Sequence, residues 1–275
     1  MIVITGATGA LNGATTDHLL KSVPPQEIAV VARDVTKAQR FAERGIEVRH
    51  GDFAEPSSLP AAFAGADQLL LVSSSDPAAD AVALHTAAIN AAVSVGVGRI
   101  LYTSHQGATP NTPFGPGRDH YATEQLLAES GLPWTSLRNG FYAHSLTWLL
   151  GPWRETGRIT VPADGPVSWT AREDAAEAAA VIIASNGAYD GPITITANAA
   201  PTFAEIASDL ATYDLVDTDE WVAGRIAQGQ PEFMARFLLG MYQAAEQGFF
   251  AGTDPLLGKL LGREPKTVRE VLSQS

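Results

Sequence analysis

The sequence predicts an α/β protein: a parallel, doubly wound sheet followed by a small, mostly helical C-terminal region. Two observations predict this fold. Short runs rich in Val, Ile and Leu alternate with helical segments through the first hundred residues, as in consecutive β-α-β units. The first run also leads directly into a glycine-rich turn and then a helix. After about residue 198 the pattern is mostly helical.

The predicted elements follow from hydrophobic periodicity and from the turn residues that separate them. The strands are predicted at 1–5, 27–32, 45–50, 68–72, 99–103, 134–138 and 192–196. The helices are predicted at 14–20, 36–44, 78–95, 119–129, 173–184, 203–212, 231–247, 256–261 and 267–272. Residues 107–117 are rich in Gly, Pro and Asn and are expected to form a loop.

The turn after the first strand contains Gly6, Gly9 and Gly13, with Asn12 where a dinucleotide-binding turn would have its third glycine. Gly6 can form the tight turn, and the bare backbone at Gly9 lets a diphosphate approach the start of the helix. Either Gly13 provides the close helix contact instead, or Asn12 adopts an unusual backbone conformation. The turn predicts a dinucleotide site; the alternative is a plain turn before a buried helix.

The residues that end the second strand indicate which dinucleotide is bound. A carboxylate there accepts a hydrogen bond from the ribose of NAD, whereas an arginine suits the 2′-phosphate of NADP. Arg33 comes first, and Lys37 lies about one helical turn later. These charges favour NADP(H) over NAD(H). Asp34, the opposing indication, is interpreted as the N-cap of the next helix.

Polar residues also follow the other strands, and in a parallel sheet the carboxyl ends of the strands share one ligand-binding edge. Asp52 follows the third strand and could accept a hydrogen bond from adenine, or could be a turn residue. The residues expected at this edge are 5–9, Arg33, Asp52, 73–75 and 103–106.

Composition excludes several classes of protein. The 275 residues are 45% hydrophobic and contain no cysteine, which excludes disulfides and thiolate sites and fits a cytoplasmic protein. The net charge of −12 argues against a nucleic-acid partner. No apolar run is long enough to span a membrane, and we expect no signal peptide because the first predicted strand begins at residue 1. The spacing of the six histidines predicts no metal site.

Several segments together carry a family resemblance. They are 4–9 (ITGATG), 31–34 (VARD), 71–75 (LVSSS), 102–104 (YTS), 120–124 (HYATE) and 137–142 (LRNGFY). In order and spacing they resemble the NmrA-like branch of the atypical short-chain dehydrogenases, most closely the bacterial NADPH:quinone oxidoreductases of type 2 and the triphenylmethane reductases. The resemblance runs nearly the whole chain and weakens toward the C-terminus.

The resemblance implies a Rossmann domain over residues 1–197 that binds NADP(H), with 139–167 contributing to a substrate cleft. It implies a small helical substrate-binding cap over 198–275, and it leaves open whether the chain forms a homodimer. The implied reaction is hydride transfer to a quinone or a similar flat, electron-poor aromatic acceptor. The implied cofactor contacts are Gly6, Thr8, Gly9, Ala10 and Leu11 at the diphosphate, Arg33 at the 2′-phosphate, Asp52 and Phe53 at the adenine, Ser73, Ser74 and Ser75 on the ribose side, and Thr103 and Ser104 near the nicotinamide.

The helix at 119–129 departs from the short-chain dehydrogenase pattern Y-x-x-x-K, in which the lysine assists the tyrosine as a base. Tyr121 is followed here by Gln125, where the quinone reductases usually have lysine. Gln125 can still donate a hydrogen bond to a cofactor ribose, but it carries no charge. We therefore expect Tyr121 to be a poor base, which disfavours an alcohol dehydrogenase.

A quinone acceptor tolerates this change because it is already a strong electrophile, so the protein mainly has to orient it. Side chains at strand ends could donate hydrogen bonds to the developing oxyanion. These candidates are Ser104, His105, Asn139 and Tyr142. The aromatic residues that either form a flat wall for the acceptor or pack in the core are Phe114, Phe141, Tyr142 and Trp148.

Two other functions are compatible with the same residues. One is a regulator of the NmrA type that senses NADP without turnover, which the missing lysine favours. The other is a reductase for an aromatic natural product, which would suit the aromatic-rich segment 141–153.

Overall fold

A computed structural model describes residues 1–74, 76, 78–208 and 210–274. The strands are β1 Ile2–Thr5, β2 Ile28–Ala32, β3 Glu47–His50, β4 Gln68–Leu71, β5 Ile100–His105, β6 Trp134–Asn139, β7 Arg158–Val161, β8 Gly191–Ile195 and β9 Thr212–Leu215. The α-helices are α1 Ala10–Leu19, α2 Gln39–Ala42, α3 Leu59–Phe63, α4 Ala81–Ser94, α5 Gly115–Glu129, α6 Leu146–Leu149, α7 Trp153–Thr156, α8 Arg172–Ala184, α9 Phe203–Ala207, α10 Thr218–Ala227, α11 Glu232–Glu246, α12 Leu256–Leu261 and α13 Val268–Ser273. Short 3₁₀ helices span Pro25–Glu27, Val35–Ala38, Pro56–Ser58 and Ala143–Ser145.

Within the described residues, seven strands form one sheet in the order β3-β2-β1-β4-β5-β6-β8. The pairs β1–β2, β1–β4, β2–β3 and β4–β5 are parallel. Strands β1, β2 and β4 are buried along their whole length, whereas the edge strand β3 is partly exposed. Continuous apolar runs are the expected sequence of strands that are covered on both faces. The predicted Rossmann-type α/β fold with a mostly helical C-terminal region is confirmed.

The chain divides into two compact units, each assembled from separate segments. Unit 1 comprises Met1–Ser104, Asp119–Arg138 and Arg172–Ile193, and unit 2 comprises His105–Arg118, Asn139–Ala171 and Thr194–Ser275. The single boundary predicted between residues 197 and 198 differs from this division. It falls close to Thr194, whereas the compact units also place residues 105–118 and 139–171 with the C-terminal region. The functional division into a cofactor domain over 1–197 and a cap over 198–275 remains a prediction.

The core of unit 1 is aliphatic. Side chains of the parallel strands pack with those of α3 and α4, and Leu59, Phe63, Leu69 and Tyr102 are fully buried. Helix α1 packs against α8, whose buried side chains include several alanines. Small side chains let the two helices approach each other closely, so the glycine-rich turn that precedes α1 is held firmly.

The core of unit 2 is aromatic. Trp169, Phe203 and Tyr242 are fully buried and contact one another in sequence, with ring centroids 5.4 Å and 5.1 Å apart. The hydroxyl of Tyr242 donates to the carbonyl of Leu149 at 2.8 Å. Burial raises the pKa of this phenol well above its usual value. Tyr242 is therefore a neutral hydrogen-bond donor of the core.

The C-terminal region contains a strand that the sequence pattern did not predict. The helix expected at 203–212 ends at Ala207, and Thr212–Leu215 instead forms β9, which pairs with β7 in parallel. Helix α10 was also not predicted. Strand β9 is partly exposed and its partner lies about fifty residues earlier, so its local pattern is weak.

Two predicted helices begin earlier than expected. Helix α1 begins at Ala10 rather than at residue 14, and α5 begins at Gly115, inside the predicted loop. No helix in the described parts of the chain is both long and apolar enough to cross a membrane.

Replacing Gly13 with alanine tests how closely α1 packs on the turn. A Cβ there would lie 2.8 Å from the carbonyl oxygen of Ala7, which is backbone and cannot move aside. We expect Gly13→Ala to lower the free energy of unfolding by about 1–3 kcal/mol in urea, as overpacked cores do. Gly224→Ala in α10 is the matched control, since a Cβ there meets nothing within 4 Å. It should raise stability by roughly 0.5–1 kcal/mol, and equal effects of the two changes would contradict the assignment.

Candidate cofactor site

The glycine-rich turn joins β1 to α1 within unit 1. Gly6 has a φ of +66°, and a Cβ there would lie 2.8 Å from the side chain of Val72. The N–H of Gly9 donates to the carbonyl of Gly6 at 2.9 Å, and Gly9 is the N-cap of α1. The first N–H groups of the helix therefore face the turn, which makes this an anion-binding end.

Asn12 does not take a left-handed backbone conformation, since the one non-glycine residue with positive φ in the described chain is Asn186. Its side-chain N–H instead donates to the carbonyl of Thr5 at 2.9 Å, while Asn12 itself is buried. The close contact with the turn is made by Gly13. Of the two interpretations that the sequence left open, the structure confirms that Gly13, rather than a strained Asn12, lets the helix lie close to the turn.

A cavity of about 310 Å³ opens at the carboxyl ends of β1, β2 and β4. Its lining includes the predicted site residues Gly6, Thr8, Gly9, Arg33, Asp52, Phe53, Ser73 and Ser74. Thr5, which the sequence places at this edge, also lines the cavity. The lining further includes residues that the sequence did not single out for the cofactor, namely Val31, Ala32, Gly51, Val72, Asp76 and Leu84. These are mostly strand ends and apolar residues, which carry no signal of their own.

Other residues predicted at the cofactor lie away from this lining. Ala10 and Leu11 occupy the first turn of α1, and Lys37 is exposed in a 3₁₀ helix. Gln125 is exposed on α5, and Ser75 lies outside the described residues. Their contacts with a cofactor remain predictions.

Arg33 and Asp34 have different environments. The Arg33 side chain is exposed at the cavity and forms no ion pair with any residue that the structure describes. Asp34 accepts from the backbone N–H and hydroxyl of Thr36 at 3.0 and 2.6 Å, so it caps the following 3₁₀ helix. The Thr36 hydrogen bonds hold the pKa of Asp34 below its usual value. The cationic group is thus available to a ligand, and the carboxylate is engaged locally.

Asp52 and Phe53, which are predicted to contact the adenine, lie side by side in the cavity lining. One carboxylate oxygen of Asp52 accepts from the N–H of Ala54 at 2.9 Å, and the backbone N–H of Asp52 donates to Ser58 at 3.0 Å. Asp52 is therefore a turn residue whose second carboxylate oxygen has no bond to the turn. This arrangement is compatible with both roles that the sequence left open.

Three consecutive backbone N–H groups after β4 donate to side chains. Val72 donates to the hydroxyl of Thr5 at 2.8 Å, and Ser73 donates to the hydroxyl of Thr103 at 2.9 Å. Ser74 donates to Nε2 of His85 at 2.8 Å. Thr103 is buried and does not line the cavity. Its effect on the cavity is indirect, through the hydrogen bond that it accepts from Ser73.

Ser104, predicted to face the acceptor, is buried against Glu124. Its hydroxyl donates to Oε1 of Glu124 at 2.8 Å, and Ser136 donates to the same oxygen at 2.6 Å. Arg138 completes the cluster with bonds of 3.0 Å and 2.5 Å to the two carboxylate oxygens. Since the hydroxyl hydrogen of Ser104 is donated to the carboxylate of Glu124, we assign Ser104 no hydrogen bond to the quinone or other hydride acceptor. The burial of Glu124 was not predicted, since the residues that donate to it lie on other elements, β5 and β6.

The remaining candidate catalytic residues lie in different surroundings. Tyr121 is half-buried on α5 in unit 1. In unit 2, Asn139 is buried and donates to the hydroxyl of Tyr142 at 3.2 Å, so the structure brings these two residues together. Their catalytic roles remain predictions.

His105 belongs to an aromatic cluster of unit 2. Its ring centroid lies 5.2–5.7 Å from those of Phe114, Phe141 and Phe250, and Nδ1 accepts from the N–H of Gly107 at 3.0 Å. Burial lowers its pKa to about 4, so the ring is neutral near pH 7. Phe114 and Phe141 are buried in the core, whereas Trp148 is exposed.

No group of three or more His, Asp or Glu in the described chain is arranged to hold a metal.

His85 makes the stability of unit 1 dependent on pH. Burial lowers its pKa to about 4, while the unfolded chain has the usual value of about 6.5. Between these values only the unfolded state takes up the proton, so the free energy of unfolding should fall as the pH drops from 6.5 to 4, by at most about 1.4 kcal/mol per pH unit for this group. Urea unfolding at pH 7, 6 and 5 measures the slope. His85→Gln should reduce the slope by up to this amount and leave the contribution of His105, whose pKa burial also lowers to about 4. An unchanged slope would contradict the assignment.

Comparison with known proteins assigns a family. Residues 6–186 match the NAD(P)H-binding family. Quinone oxidoreductase 2 of Escherichia coli is 34% identical over 99% of this chain and 98% of its own. A crystal structure of that NADPH-dependent enzyme with NADPH has a TM-score of 0.91 and covers 100% of this chain and 99% of its own.

Two further relatives extend along the whole chain. The crystal structure of triphenylmethane reductase from Citrobacter sp. with NADP(H) is 32% identical, has a TM-score of 0.88, and covers 100% of this chain and 99% of its own. An NmrA-like family domain-containing oxidoreductase of Aspergillus flavus is 29% identical over 99% of this chain and 94% of its own. The resemblance predicted from the sequence is confirmed, and the chain belongs to the NAD(P)H-binding family.

Proposed function

We propose that this protein is an NADPH-dependent oxidoreductase that transfers a hydride to a quinone or a similar flat, electron-poor aromatic acceptor. The observation that carries the proposal is the cavity of unit 1, with an anion-binding helix end and with Arg33, which has no ion-pair partner among the described residues, in its lining. The choice of acceptor is supported by relatives along the whole chain that are named quinone oxidoreductase and triphenylmethane reductase.

The residues present fit NADPH. A Cβ at Gly9 would meet only the carbonyl of Gly6, at 3.3 Å, so the backbone at Gly9 is open to a ligand. The turn and the start of α1 would hold the diphosphate, and Arg33 the 2′-phosphate. Asp52 and Phe53 would contact the adenosine, and Ser73 and Ser74 the ribose side. When bound, NADPH supplies the hydride.

The chain's own contribution to the reaction is to bind and orient. A quinone that accepts a hydride and a proton becomes a hydroquinone, and the proton can come from water because the phenolate is stabilised. No base is required, which is compatible with Gln125 at the usual lysine position. The role of residues 198–275 as a substrate cap, cytoplasmic location and a homodimeric state remain predictions.

The test of the proposal is NADPH oxidation at 340 nm with benzoquinone, menadione and a triphenylmethane dye. We expect turnover with at least one quinone and a lower KM for NADPH than for NADH. Binding of NADPH with no turnover of any acceptor would contradict the proposal and would instead support the NADP-sensing regulator.

Arg33→Ala tests the choice of cofactor. Losing a charge-assisted contact with the 2′-phosphate should raise the KM for NADPH by about tenfold or more and leave the KM for NADH nearly unchanged. Arg44→Ala is the matched control, because it removes the same charge from a residue that pairs with Asp17 and does not line the cavity. Equal effects on both cofactors would refute the role of Arg33.

A further inference from the structure

His85 lies on α4 and is almost fully buried, at 1% exposure. Nε2 accepts from the N–H of Ser74 at 2.8 Å, so this nitrogen carries no proton. Nδ1 lies 2.8 Å from the hydroxyl of Thr123, whose own hydrogen goes to the carbonyl of Asp119 at 2.8 Å. The hydroxyl therefore accepts from Nδ1–H, and the two neighbours together specify one neutral tautomer of the ring.

The groups around the ring are mostly uncharged. The hydroxyl of Tyr102, on β5, lies 3.5 Å from Nδ1 of His85 and 2.8 Å from Nδ1 of His120, on α5. The Tyr102 ring also packs edge-on against His85, with centroids 5.4 Å apart. Burial raises the pKa of Tyr102 above its usual value, and the carboxylates of Asp119 and Glu124 raise it further. The ring of His85 is thus held from α4, β5 and α5.

His85 is connected to the cavity through two residues of its lining. Ser74, which His85 holds, lines the cavity, and so does Leu84, the residue before His85 on α4. Ser74 lies at the end of the three N–H groups that side chains hold after β4, and it is the one held by a ring rather than a hydroxyl. An imidazole ring reaches farther from its backbone than a hydroxyl and cannot rotate away while both nitrogens are bonded.

We propose that His85 is a positioning residue for cofactor binding: it fixes the backbone at Ser74 and thereby the ribose-side wall of the cavity. The proposal rests on the proposed function, since it takes the occupant of the cavity to be NADPH. Its direct effect is on affinity for the cofactor rather than on the hydride transfer.

Two substitutions separate positioning from simple packing. Glutamine places its Oε1 near the position of Nε2 and can accept from Ser74, whereas asparagine reaches only as far as Nδ1. We expect His85→Asn to raise the Kd for NADPH, measured by fluorescence titration, by about tenfold, because the Ser74 N–H loses its acceptor. His85→Gln should restore the Kd to within about threefold of the wild-type value. Thr86→Val is the matched control, since the Thr86 hydroxyl donates to the carbonyl of Val82 within α4, and Thr86 does not belong to the cavity lining.

Equal Kd values for His85→Asn and the wild type, with both folded, would overturn the proposal. Equal losses of affinity in the Asn and Gln variants would also overturn it, because they would indicate a packing role. If His85→Asn does not fold, Thr123→Val decides: it leaves the acceptor for Ser74 but frees the ring, so a raised Kd supports the proposal and an unchanged Kd overturns it. Because the titration needs no acceptor, failure to reduce quinones would refute the proposed reaction without affecting this result.

Discussion

The hydroxyl of Thr5 joins the ends of the two strands at the centre of the sheet. It donates to the carbonyl of Leu70 at 3.0 Å and accepts from the N–H of Val72 at 2.8 Å, in a buried position. The next residue, Gly6, turns where a Cβ would lie 2.8 Å from the side chain of Val72. The glycine turn follows Thr5, and residues 72–74 follow β4. Both segments line the cavity, so the Thr5 hydroxyl holds together the two strand ends from which they begin.

The protein binds an anionic cofactor, in our proposal, although its own net charge is −12. Local charge must therefore offset the overall repulsion. The helix end after Gly9 supplies a partial positive charge, and Arg33 supplies a full charge without an acidic partner among the described residues. Asp34 lies beside it, but its carboxylate is directed to Thr36. The preference for NADPH thus depends on which of two adjacent charged residues is engaged locally.

Helix α5 has Gln125 where the Y-x-x-x-K pattern of short-chain dehydrogenases has its lysine, and its residue Glu124 has a structural role. Glu124 points into unit 1, where Ser104, Ser136 and Arg138 donate to it. A buried carboxylate with this many donors ties α5 to β5 and β6, and removing one partner would leave a buried charge unpaired. The same helix also holds His85 through Thr123. We interpret the role of α5 as structural: it holds strands β5 and β6 and His85 in place. A reaction that needs no protein base does not require a catalytic lysine on this helix.

Local sequence pattern was sufficient to predict the parallel sheet, the glycine turn and most residues of the cavity lining. Apolar runs specify buried strands, and Gly6 is required where φ is positive. The fold was needed to show that Ser104 donates to Glu124 and that His85 holds Ser74. It also decided that Thr212–Leu215 is a strand. In most of these cases the partner is distant in the chain, and a side chain's role depends on which groups folding brings within hydrogen-bonding distance.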